Sequence, residues 1–289
     1  MFVSLFNYIK HLFKKISQGK SMKNLLVASP EVIIFHSKIQ DFCIAVNREI
    51  SEIDKNKRTY PTAGDALLRM SVDMLALHRS IYSLCSNGWS QVCPIILRTM
   101  LELHLSVLII TRNTEDCEYF GFKYLYRIHK EILISSKSSE EGKKESRRKI
   151  DEGLVKLSPP TQGRAKEFIF LQKMGGYWYC PEYSNPKNIL ESINNPSAKD
   201  LYDTLSSATH GGVLGLSIFK GQPDDIHPDP RADTFSQNAA LSYSSRILLE
   251  SSYARGIFEG CNLQVRFEDL FNEYLSLKKF SKEAISRHP

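Results

Sequence analysis

The chain has no Cys-x-x-Cys pair, no Gly-x-Ser-x-Gly elbow and no His-Glu-x-x-His helix. Its six cysteines stand singly at 43, 85, 93, 117, 180 and 261. That spacing excludes a disulfide frame and a paired-cysteine zinc site, and reads as free thiols in a reducing cytoplasm. The glycine-rich pieces around 175 and 211 lack the strand-then-helix setting of a nucleotide fingerprint. No run alternates convincingly between apolar and polar residues, and no internal repeat is visible, so strands and solenoids are not expected. Charge of one sign is also scarce. The balance of 38 basic against 32 acidic residues gives +6, which permits contact with nucleic acid or anionic lipid without demanding it. The start of the chain does not read as a signal peptide, because its charges follow the apolar residues and no small-residue cleavage site comes after.

What is present is helical period. The 289 residues suffice for one large or two small domains. Phe2, Leu5, Phe6, Ile9, Leu12, Phe13 and Ile16 recur at helical spacing opposite Lys10, Lys14 and Lys15. Residues 1–21 therefore read as a basic amphipathic appendage, too short to span a bilayer. Residues 22–289 read as one all-α domain, a multi-helix bundle. Ser29-Pro30-Glu31 is a helix start, and Val32, Phe35, Ile39, Phe42, Val46, Ile50 and Ile53 form its stripe. A second helix runs from about Pro61 to Cys85 and stops at Asn87-Gly88. A third, aromatic-rich, begins after Thr114-Glu115-Asp116. Ser135 to Ile150 is charged and reads as a loop or exposed helix. Pro159-Pro160 reads as the end of a helix, with a short one following over Arg164–Lys173. Further helices are expected over Lys187–Ile193, Ala198–Thr209, Ala232–Phe258 and Val265–Ile285. Lone histidines at 36, 78 and 129 read as core-edge residues.

The central element is Val92 to Ile110, near-continuously apolar yet carrying Arg98, Glu102 and His104. Such a helix, near 90–111, is expected to be buried in the bundle. It has transmembrane length, but charges at its middle cost roughly 3 kcal/mol each in a bilayer. Arg98 and Glu102, four apart, share a face about 40° wide, while His104 points about 120° from Arg98. If that pair is buried, removing one partner costs about 3–5 kcal/mol. The cluster Asp224-Asp225-Ile226-His227-Pro228-Asp229 holds oxygen and imidazole groups, but its spacing matches no standard metal loop. No metal and no cofactor is expected.

Arg98-x-x-x-Glu102, then Trp178-Tyr179, Tyr202, Leu205-Ser206 and His210 form a pattern over about residues 60–220. The chain thereby resembles an uncharacterised all-helical bacterial family of unknown function. The resemblance implies that Arg98, Glu102 and His210 come together. Arg98 to His104 is also similar to the Arg, four to six residues, His motif of HEPN ribonucleases, helical proteins of toxins and antiviral systems. Thr99 stands at that motif's usual polar position. In that chemistry a His takes the proton from an RNA 2′-hydroxyl and an Arg stabilises the phosphate in flight, without a metal. The candidate catalytic residues are Arg98, Glu102, His104 and His210. The competing expectation is a non-enzymatic interaction module whose Arg-Glu-His network is structural. The partners the sequence allows are RNA, a partner protein or membrane surface met through residues 1–17, and a second copy in a homodimer. The expected location is the cytoplasm, with the N-terminal helix able to hold the protein at the inner membrane.

Overall fold

Ser29 opens the first helix, its hydroxyl accepting from Val32 N–H at 3.4 Å, with Pro30 in the first turn where its missing N–H costs nothing. The computed structural model describes residues 26–53, 58–170, 202, 205, 219–220, 227–228 and 230–286, with backbone alone at 219–220, 227–228, 230–235 and 278–286. The expected segments 1–21, 187–193 and most of 198–209 lie outside these residues.

The helices are α1 (Pro30–Glu52), α2 (Pro61–Ser86), α3 (Cys93–Arg112), α4 (Cys117–Ile134), α5 (Glu140–Leu154), α6 (Pro159–Phe170), α7 (Pro230–Phe258) and α8 (Gln264–Ser286). A 3-10 turn, Ser90–Val92, leads into α3. Phe219–Lys220 and His227–Pro228 form a two-residue antiparallel bridge, too short to alter the all-α class. The expected stripe of α1 is buried from Val32 through Ile50. Together with Leu67, Met70, Leu101 and Leu248 it belongs to one continuous core.

α3 is largely buried, as expected, and α7 packs against α1, α2, α3 and α8. α7 looks polar because it is rich in serine. Ser244, Ser245 and Ser251 are buried and donate back to the carbonyls of Leu241 and Ile247 at 2.7–3.0 Å. A hydroxyl satisfied within its own helix is small and has no further donor to place, so it allows close approach of neighbouring helices. The Gln237 amide of α7 also accepts from Val27 N–H at 2.9 Å and Ala28 N–H at 3.2 Å, which ties down the entry to α1.

The charged stretch after Ser135 forms α5, capped by Ser139 on Gly142 N–H at 3.1 Å. It is not exposed all round. Ile150 and Leu154 pack with Phe122, Leu157 and Ala165 into a second, smaller core beneath α4 and α6. Pro159 and Pro160 open α6 instead of ending a helix, the first turn being where proline is tolerated. Lys130 of α4 is 2% exposed. It donates to Phe168 O in the last turn of α6 at 2.6 Å, where the helix dipole favours a cation. Burial holds its pKa below the ordinary value.

Candidate functional site

Helix spacing alone brings Arg98 and Glu102 together, and the structure shows Arg98 Nε donating to Glu102 Oε1 at 3.2 Å. The pair is less buried than expected, with side chains 20% and 34% exposed. The reason is that α3 has an outer side: Ile95 and Thr99 are exposed on it, and Arg98 and Glu102 lie at its edge. Ser90–Arg112 is long and apolar enough to cross a membrane by length and composition, and 56% of its 18-residue apolar window is buried within the protein.

Arg98 also reaches outside its helix. Its Nη2 donates to the Tyr202 hydroxyl at 3.4 Å, and the guanidinium carbon lies 5.5 Å from the Tyr202 ring centre. Tyr202 and Leu205 are buried in the main core. Partial burial works against the Arg98 charge, but Tyr202 and Glu102 outweigh it and raise the pKa. The group is a fixed cation whose side chain is one-fifth exposed. Such a guanidinium can meet a phosphate or carboxylate bidentately.

His104 faces the other way, toward α7. Its Nδ1 lies 2.8 Å from Ser251 Oγ. Ser251 Oγ also lies 2.7 Å from Ile247 O in its own helix. Nε2 lies 3.6 Å from Glu250 Oε2, and Glu250 accepts from Arg246 Nε at 2.8 Å. The ring is 5% exposed. Burial lowers its pKa, with Glu250 opposing and Arg246 and Arg112 adding to the shift. Arg98 and His104 thus contact different elements, as their 120° separation requires.

His210, Ser206, Trp178 and Tyr179 lie outside the described residues, as do Asp224, Asp225 and the side chain of His227. Among the described residues no three His, Cys, Asp or Glu side chains converge as a metal-ligand group. The contribution of Glu250 and Ser251 was missed from sequence. Arg246-x-x-x-Glu250 repeats the Arg98–Glu102 spacing, which was the available signal.

The exposure of the Arg98–Glu102 pair changes its expected energetics. Glu102→Ala should cost less than about 1 kcal/mol in stability, the range of solvent-screened pairs, not the larger penalty of a sealed one. Urea denaturation of the two proteins at moderate salt measures it. A loss above about 3 kcal/mol would mean that the pair is closed off from solvent in solution.

The sequence profile of a family of unknown function, DUF5677, matches residues 64–227. That span takes in Arg98, Glu102, His104, Tyr202 and His210. No curated protein and no solved structure is significantly similar to the chain. The match covers more than half of the 289 residues, and the chain belongs to the family of unknown function DUF5677.

Proposed function

We propose that the protein is a metal-independent endoribonuclease with HEPN-like chemistry but with His210 in place of the His104 of that motif, acting in the cytoplasm in toxin or phage-defence biology. The observation that carries this reading is the Arg98 guanidinium, oriented by Glu102 and Tyr202 and still one-fifth exposed on the edge of α3. In the reaction an RNA 2′-oxygen attacks the adjacent phosphorus. The P–O5′ bond breaks, giving a 2′,3′-cyclic phosphate and a 5′-hydroxyl. Arg98 holds the phosphate oxygens as charge builds on them, and Glu102 fixes the guanidinium plane. The base is assigned to His210. His104 is sealed against Ser251 and Glu250 and keys α3 to α7.

One observation favours the competing interaction-module reading: Glu102 and Tyr202 already engage the guanidinium, as a purely structural bridge would. The two readings separate on activity. Full-length protein incubated with RNA in EDTA should yield fragments with 2′,3′-cyclic ends. Arg98→Ala should lower cleavage by about 100-fold, the usual cost of one transition-state donor, while circular dichroism stays native. His210→Ala should abolish cleavage and His104→Gln should leave it. RNA left intact by folded wild-type protein replaces the enzyme with the interaction module.

A further inference from the structure

The corner between α2 and α3 brings together two thiols that the proposed function does not use. Cys85 lies in the last turn of α2 and Cys93 opens α3. Their Sγ atoms are 3.9 Å apart. Both residues are fully buried and neither is in a disulfide. Other described cysteines face different partners. Cys43 meets Ser71 Oγ at 3.7 Å, and Cys117 donates to Thr114 O at 3.1 Å.

Two sulfurs at 3.9 Å are in van der Waals contact, and a disulfide requires about 2.05 Å. The closing movement falls on the joint between the two helices. Asn87, Gly88 and Trp89 are outside regular helix and only half-buried. Gly88 sits at φ 73°, a conformation that only a residue without Cβ adopts freely. Gly88 N–H is held by Cys85 O at 3.0 Å and Trp89 N–H by Leu84 O at 2.8 Å, so a small neutral oxidant reaches the covered thiols through local opening of this joint.

We propose that Cys85 and Cys93 are a reversible redox pair, oxidised by hydrogen peroxide to a disulfide that locks the α2–α3 corner. One thiol takes an oxygen atom from peroxide, becoming a sulfenic acid and releasing water. The second sulfur then attacks the sulfenic sulfur. The S–O bond breaks, and the hydroxide leaves with the second thiol's proton as water. In all, the two thiols lose two protons and two electrons, and one peroxide becomes two waters. Thiol–disulfide exchange with a small dithiol reverses it. The bond would fix the first turn of the helix that carries Arg98, whatever that arginine does. The inference is therefore independent of the ribonuclease reading.

The sequence makes the test direct. No Lys or Arg lies between Arg79 and Arg98, so trypsin releases both cysteines in one peptide, Ser80–Arg98. Reduced, folded full-length protein is treated with hydrogen peroxide, alkylated with N-ethylmaleimide and digested. The expected peptide is lighter by two hydrogens and unalkylated, and dithiothreitol before alkylation restores two labels. The oxidised protein should melt roughly 5 °C higher, the effect of closing a short loop. Cys93→Ala should melt at one temperature with or without peroxide. A doubly alkylated peptide, a sulfinic or sulfonic product in its place, or a lighter peptide seen only after prior unfolding in urea overturns the proposal. So does an equal peroxide-induced rise in the Cys93→Ala protein.

Discussion

Gly121→Ala should destabilise the protein by about 2 kcal/mol and Gly121→Val by 3 kcal/mol or more, against the direction helix propensity predicts. Gly121 lies in α4, where a Cβ would sit 2.7 Å from Ala63 Cα and 2.9 Å from both Ala63 N and Thr62 O. These are backbone atoms of the first turn of α2. They cannot rotate away as a side-chain tip would, so the two helices must separate. One turn earlier, Glu118 accepts from Thr62 N–H at 3.0 Å and from Ala63 N–H at 3.2 Å. α2 has no side-chain cap of its own, and Glu118 supplies the missing acceptor from a neighbouring helix. Separating α4 from α2 therefore also loses that cap. Gly163 in α6 provides the contrast, because nothing lies within 4 Å of its added Cβ. There Gly→Ala should stabilise by up to about 1 kcal/mol through helix propensity. Chemical denaturation of the three proteins checks both signs. A Gly121→Ala protein as stable as wild type would mean that α2 and α4 do not touch at this point.

The same contrast shows what the sequence could reveal. Features that repeat within one helix were legible. The α1 stripe, the stop at Asn87-Gly88, the extents of α7 and α8, and the Arg98–Glu102 contact all follow from spacing along one chain segment. Features that depend on a partner far away were not. Glu118 reads as an ordinary first-turn acid of α4, and its work lies 55 residues away at Ala63. The direction of His104 follows from its angle on the helix, but the group it meets does not. Its partner Ser251 is 147 residues distant, and a serine gives no periodic signal. The central role of α7 was hidden for a related reason. Hydrophobic patterning undervalues a helix whose buried face is small and polar but internally satisfied. Arg255 on the same helix escapes the pattern for the opposite reason, a large charged side chain 1% exposed that donates to Asn47 Oδ1 while its Nε and Nη2 are buried without partners. Burial lowers its pKa, and Glu259 opposes that shift.

Of the candidate site, the Arg98–Glu102 half was legible because it is local. Its junction with Tyr202 was reachable only through the family resemblance, since the two residues are 104 apart. The exposure of the pair was misjudged because α3 is apolar in composition. Burial depends on which neighbours a helix has, and no element described here covers the side bearing Ile95 and Thr99.

Acidification should unfold this protein through a pair of histidines that looked unrelated in sequence. His36 of α1 and His78 of α2 stack with ring centres 3.5 Å apart and planes inclined by 18°. Both are buried. His36 Nδ1 meets Ser245 Oγ at 3.2 Å. That hydroxyl donates to Leu241 O at 2.7 Å, so the imidazole is the donor. His78 Nε2 donates to His36 O at 3.1 Å. The remaining nitrogens, His36 Nε2 and His78 Nδ1, are buried without partners. Each site is thus built for a neutral ring with one donor. α7 offers only Ser244, Ser245 and the Leu241 carbonyl here, Tyr82 packs beside His36, and the nearby charge is Arg79, which disfavours a second cation. Burial takes the His36 pKa from 6.5 to about 4, and that of His78 well below its ordinary value. The unfolded chain binds these protons first. Stability is therefore full above about pH 6.5, falls as pH drops below it, and continues to fall until the native pKa is reached. At about pH 5, His36 with its native pKa of about 4 costs about 2 kcal/mol, and His78 adds to that loss. His104 adds to the loss in the same direction. Carboxylates contribute to acid unfolding as well, so the informative quantity is a difference. In His36→Asn with His78→Gln, each amide can supply the donor its ring supplied, and neither titrates. Between about pH 7.5 and pH 5 the wild type should lose about 2 kcal/mol or more beyond the loss of this variant, read from urea midpoints at constant slope. Parallel curves for the two proteins would assign acid unfolding to the carboxylates and leave the stacked pair without a role in it.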